Sequence, residues 1–292
     1  MDNTTDFDTF LDQAWTDHAD DAAGVAARIA SQGPALVTAA GQASALAHLA
    51  HHVWGEHLGQ WQAGLDWFAQ LDAHPALDDI GHAAVARYRA SLRLSAADAT
   101  SLDGLGTSDR IRVTAMAACN LGGHDTVRAL ALFDQALGEA ETSDLPATDP
   151  MNRSLAVAGN NLAGTLEEKV TRSPAERELM IRAAQAGRRY WAIAGTWLET
   201  ERAEYRLAKT WVQAGDLAQA RHHAQQCLEI VGANDGAALE RFFAWEALGV
   251  VERAAGNTTG HQQALAHVRE AFEALDESDR GWCKASLDKL AA

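Results

Sequence analysis

The sequence predicts an all-α fold built from antiparallel helix hairpins, and three observations carry that expectation. Alanine and leucine dominate a chain of 292 residues that holds five prolines and scarcely any β-branched runs, a composition that favours helix over strand. Apolar residues recur at spacings of three and four over long stretches. Glycine and short polar residues gather where one such stretch gives way to the next, which is where helices end and turn.

The stretch 201–231, ERAEYRLAKTWVQAGDLAQARHHAQQCLEIV, shows the pattern most plainly. Its first arm places Tyr205, Ala208, Trp211 and Val212 on one stripe, and its second does the same with Leu217, Ala220, Ala224, Cys227 and Leu228. Between them, Gly215 suits a left-handed helix end and Asp216 suits the cap of the next helix. Such a hairpin leaves one face uncovered and so requires neighbours.

Ala208, Trp211, Gly215, Leu217, Ala220, Ala224 and Cys227 make this stretch resemble a tetratricopeptide repeat, in which small and large residues alternate so that paired helices approach closely. Gly232 stands where that family often has proline. Looser hairpins extend the resemblance over roughly two thirds of the chain. It implies a right-handed α-solenoid with irregular repeats, a concave groove and a C-terminal capping helix. It also implies a non-enzymatic scaffold or regulator that binds a protein or peptide.

In chain order, residues 4–32 form an opening helix or helix pair, with Phe7, Phe10, Leu11, Ala14 and Trp15 on one stripe and Val25 and Ile29 on another. Gly33-Pro34 breaks it, since proline restricts its predecessor. A helix over about 36–56 and a second ending before Pro75 make a repeat-like hairpin. There Gly59, Trp61, Gly64, Phe68 and Leu71 copy the spacing of Gly215, Leu217, Ala220, Ala224 and Cys227. Residues 78–97 form a helix that is either an additional element between repeats or half of a degenerate one. The segment 100–109 is a loop, with Ser108 or Asp109 capping a helix through Leu121, and Ala129, Phe133 and Ala136 follow in the second-arm register.

The polar stretch 141–150 separates N-terminal repeats (1–140) from C-terminal ones (151–292), the two expected to join as one continuous solenoid. An arm over 152–170 follows, and Ser173, Pro174 and Glu176 open its return arm. After the hairpin at 201–231, residues 237–255 and 264–275 pair through Ala264, Val268 and Ala271, with GNTTGH (256–261) lengthening the turn. Residues 279–290 cap the open edge with Trp282, Ala285, Leu287 and Leu290.

Forty acidic against 24 basic residues give a formal charge of −16, which repels phosphate backbones and anionic membrane surfaces and argues against nucleic-acid binding. The acidic start is unlike a secretory signal, and no apolar run reaches the roughly 18 residues of a membrane span. Three scattered cysteines, Cys119, Cys227 and Cys283, suit reduced thiols and a cytoplasmic protein.

Two sets of residues are candidates for function. The resemblance to the repeat family implies that Arg202, Tyr205, Lys209 and Gln213 face the groove, with Val157, Asn160, Gly164 and Glu168, and Leu46, Leu49, Val53 and His57, at equivalent positions. One end of that surface is apolar and the other polar and basic. Some peptide-binding members of the resembled family hold a C-terminal carboxylate with lysine, asparagine and arginine. Asn161 matches the middle asparagine and Arg202 and Arg206 the last pair, whereas Thr114 and Ala118 replace the first contribution. The expected ligand set is therefore Asn160, Asn161, Arg202, Tyr205, Arg206 and Lys209, facing a peptide with an acidic group.

The alternative is a metal sensor or hydrolytic enzyme using the histidines at 48, 51, 52 and 57. His48, His52 and Glu56 share one helical face and present two imidazoles and a carboxylate. Arg188, Arg189, Tyr190 and Trp191 allow either base stacking or core closure, and their helical spacing favours the core. No nucleotide or cofactor motif is present, no cofactor is expected, and a homodimer is possible through a lateral face.

Overall fold

The structure, a computed structural model, describes residues 6–292. Residues 4 and 5 of the opening helix pair lie outside the described residues. Among those described there are fifteen α-helices and no strand, and none of the helices is long and apolar enough to cross a membrane. The chain divides into two compact units, Met1–Ser154 and Leu155–Ala292.

In the first unit, α1 (Phe7–Asp17), α2 (Ala22–Ser31) and the single turn α3 (Gly33–Leu36) precede α4 (Ala40–His51). The predicted unbroken helix over 36–56 is interrupted at both ends. Val37 is extended before α4, and after α4 the chain adopts a π-helical turn, His52–His57, sealed by a hydrogen bond from Leu58 N–H to the Val53 carbonyl. Then follow α5 (Trp61–Leu71), α6 (Asp79–Ser95), α7 (Thr107–Gly122) and α8 (Thr126–Thr142), and α9 (Pro150–Glu167) crosses the division between units. Helix α7 starts on Gly106, not on Ser108 or Asp109. The Ser108 hydroxyl instead donates to Asp149, and Asp109 faces Arg87 and Arg112.

Phe7, Phe10, Val25 and Ile29 pack with Leu46, Leu49, Val53, Trp67 and Phe68 in one core. Leu46, Leu49 and Val53 are 0 % exposed, so the expected apolar end of a groove is absent from this unit's described surface. The opening helices cover that row because apolar residues at i, i+3 and i+7 remain in water only when no segment reaches them.

The second unit continues with α10 (Pro174–Ala194), α11 (Trp197–Ala214), α12 (Leu217–Ala233), α13 (Ala238–Ala254), α14 (Thr258–Glu273) and α15 (Glu277–Ala291). Each helix from α10 to α14 packs on the next. Ser173 and Glu176 form the capping box that opens α10. Gly215 (φ +86°) and Gly256 (φ +68°) adopt the left-handed conformation that turns each hairpin. Asp216 and Asn257 then accept from the backbone N–H groups of Gln219 and Gly260. Because Asn257 caps directly, GNTTGH does not lengthen the turn, and α14 begins at Thr258.

The second-arm register read from the sequence falls on buried faces throughout: Gly64, Phe68 and Leu71; Ala129, Phe133 and Ala136; Ala220, Ala224 and Cys227; Ala264, Val268 and Ala271. The last helix, α15, packs on α13 and α14 through Cys283, Leu287 and Leu290. Trp282 is 65 % exposed and Ala285 is also exposed, which corrects the expected capping face. The spacing of Cys283, Leu287 and Leu290 makes the better helical stripe.

Helices α9 and α10 approach each other closely at Gly159. A Cβ at Gly159 would sit 2.5 Å from the Ala183 carbonyl oxygen and 2.6 Å from the Gly187 nitrogen. Gly138, exposed on α8, meets nothing within 4 Å. Replacing a helical glycine by alanine gains about 0.5–1 kcal/mol where there is room, whereas overpacking costs about 1–3 kcal/mol or more. Gly138→Ala should therefore raise the denaturation midpoint and Gly159→Ala should lower it, as read by chemical denaturation of the two variants.

Candidate functional site

The polar face of the second unit is built on α11. Asn160, Arg202, Tyr205 and Arg206 line one cavity of about 380 Å³, together with Glu201, Glu240, Phe243 and Trp282. Asn161 is not among its lining residues. The aromatic wall is continuous, with Phe243 centred 5.6 Å from Tyr205 and 5.1 Å from Trp282.

The cations expected to meet an acidic ligand already have carboxylates of their own. Arg206 donates to Glu167 at 2.6 Å, and Thr210 donates to the other oxygen of the same carboxylate. Arg202 stands 3.3 Å from Glu240. Lys209 donates to the Tyr205 hydroxyl at 3.0 Å and lies 3.8 Å from Glu246. Two rows of opposite charge thus satisfy each other across neighbouring helices, and the expected basic patch is neutralised from within.

Glu201 is the residue that sequence reasoning missed. It is 1 % exposed, and its Oε1 has no hydrogen-bond partner among the described residues. Burial first, and then the nearby negative charge of Glu240, push its pKa up to about 7, with Arg202 and the Cys227 thiol pulling the other way. No periodicity signals it, because Glu201 lies beside the groove stripe rather than on it.

The histidines of the first unit form a second constellation. The π-helical turn brings His57 Nε2 to 3.0 Å from His52 Nε2, and His52 Nδ1 lies 3.2 Å from Glu56 Oε2. His18, just beyond α1, joins them with ring centroids 5.0 Å from His52 and 4.9 Å from His57. Its Nδ1 donates to the Trp15 carbonyl at 2.5 Å. Burial disfavours a charge on His52, but the Glu56 carboxylate outweighs it and raises the His52 pKa. Burial and then the charge of His52 push His57 down to about 4. In this arrangement His52 donates to Glu56 through Nδ1, and the Nε2 atoms of His52 and His57 share a single proton in the hydrogen bond between them.

Of the expected trio of His48, His52 and Glu56, the structure pairs His52 with Glu56, and the imidazoles whose nitrogens gather are His18, His52 and His57. His48 is held against Trp15, with ring centroids 5.4 Å apart, and burial lowers its pKa. Glu56 backs His52 rather than standing beside it as an equal donor. His51 faces the interior, where it hydrogen-bonds the Ser91 hydroxyl at 2.8 Å and stacks on Tyr88. The basic-aromatic segment 188–191 closes the core: Tyr190 and Trp191 are buried, and Arg188 pairs with Glu204.

The raised pKa of Glu201 fixes a pH dependence. Between its ordinary value of 4.5 and about 7 the folded chain holds a proton that the unfolded chain has lost, so stability falls as pH rises through that window. Glu201→Gln removes this loss. The variant should be more stable than the parent at pH 8, by on the order of 1–3 kcal/mol, with the difference shrinking toward zero near pH 4.5 in urea titrations.

Compared with known proteins, the chain matches no protein-family model, no curated protein and no solved structure.

Proposed function

We propose that the chain is a non-enzymatic, cytoplasmic binding protein on a tetratricopeptide-like right-handed solenoid, and that its second unit captures a peptide carrying a basic side chain. The consecutive hairpins, with their buried small-residue register, support the repeat reading. The observation that carries the ligand class is Glu201: a carboxyl buried in an aromatic-walled cavity with one oxygen left without a hydrogen-bond partner among the described residues.

The sign of the ligand follows from the pairing around it. Arg202, Arg206 and Lys209 face Glu240, Glu167 and Glu246, so an incoming carboxylate would compete with carboxylates already in place. A lysine or arginine side chain brings Glu201 a positive charge beyond that of Arg202, which is paired with Glu240, and lays its stem along Phe243 and Trp282. The expected acidic group of the partner is thereby replaced by a basic one. Protein or peptide remains the partner class, and the overall charge of −16 steers the same ligand toward the surface.

A fluorescence-anisotropy series tests this with one short apolar peptide carrying Lys, Arg, Gln or Glu at a single position. The Lys and Arg peptides should bind more tightly than the Gln and Glu ones, and more tightly at pH 8 than at pH 6 as Glu201 ionises. Glu201→Gln and Trp282→Ala should each weaken them by about fivefold or more, on the scale of one desolvated charge contact or cation–π contact. Preference for the Glu peptide, or unchanged binding in both variants, contradicts the proposal.

A further inference from the structure

We propose that His18, His52 and His57 form a mononuclear site for a divalent transition-metal ion of the zinc class, with Glu56 and the Trp15 carbonyl as its outer supports. This site lies in the first unit and is independent of the peptide cavity. One ligand atom from each of the three imidazoles lies within 4.8 Å of the others. Nitrogens sharing a tetrahedral zinc at bonds of about 2.0–2.1 Å stand roughly 3.3 Å apart. The His52–His57 pair, at 3.0 Å, is already near that spacing, and a side-chain movement of up to about 1.5 Å brings in the third.

Three further features point to an ion rather than to a cluster formed by chance. The π-helical turn is the first. Residues five apart are splayed by roughly 140° on an α-helix, so His52 and His57 meet because this turn is π-helical, a distortion that recurs at functional sites. The second is the support. His18 Nδ1 is held by the Trp15 carbonyl and His52 Nδ1 by Glu56, which fixes each ring and directs its Nε2 lone pair inward, as metal-bound histidines are held.

The third is the donor chemistry. Three imidazoles suit zinc, copper or nickel, whereas calcium and magnesium take oxygen ligands. The metal takes the place of the proton that His52 shares with His57, and that proton leaves to solvent. Three nitrogens leave one position of a tetrahedral ion for water or a small ligand. His57 lies at the exposed rim, which provides a path for the ion.

Zinc titration of tag-free, chelator-stripped full-length protein against a chromophoric competitor decides the matter, with circular dichroism to confirm that each variant is folded. The parent should take up one equivalent. His18→Gln, His52→Gln and His57→Gln should each lose about tenfold or more in affinity, Glu56→Gln should lose about tenfold through His52, and His48→Ala should stay within about twofold of the parent. Absence of stoichiometric uptake by the parent overturns the site. So does parental affinity in both the His18 and His57 variants, and so does loss in His48→Ala with His57→Gln unaffected.

Discussion

Small residues at the seams between paired helices set how near the backbones come, and the remaining faces follow from that distance. Ala208, Ala220 and Ala224 are 0 % exposed where α11 meets α12, and Gly159 meets Gly187 with no space for a Cβ. At such separations a larger side chain must leave the seam, so each helix has one register available. The positions left over are the ones that carry charge.

Those charges are largely answered within the chain. Glu204 takes Arg188 and His223, Glu252 takes Arg221 and Asn257, and Glu167 takes Arg206 and Thr210. Carboxylates this deeply placed are tolerated only with partners, since an unpaired buried charge costs several kcal/mol. Glu201 departs from the rule by holding its proton near neutrality, and Glu56 keeps its charge because His52 stands against it. The same physics underlies the proposed preference of one cavity for a cation and the ordered rings of the histidine cluster.

Much of the fold was legible because it depends on local spacing. The second-arm triplets, the Ser173–Glu176 capping box and the Gly215–Asp216 turn are short-range patterns, and the helices obey them. What the sequence hid depends on distance along the chain. Leu46, Leu49 and Val53 have the spacing of a groove, and the opening helices α1 and α2, packed with them in one core, help to bury them. His18 joins His52 and His57 from just beyond the end of α1, and the π-helical turn that completes the set has no sequence signature beyond Gly55, whose missing Cβ lets the turn lie on Asn120. Arg202 and Arg206 were visible as cations, but their carboxylate partners lie 38 and 39 residues away.

The ligand-binding account rests on the state of one carboxyl group, which carbon-13 NMR of the Glu201 side chain measures directly. Titrated alone, that carboxyl should show a midpoint near 7 rather than at its ordinary 4.5. In the presence of the lysine peptide the midpoint should fall by at least about one unit, as a cation beside it favours the ionised form. A midpoint near 4.5 in the free protein, or one that the peptide does not move, would contradict the account.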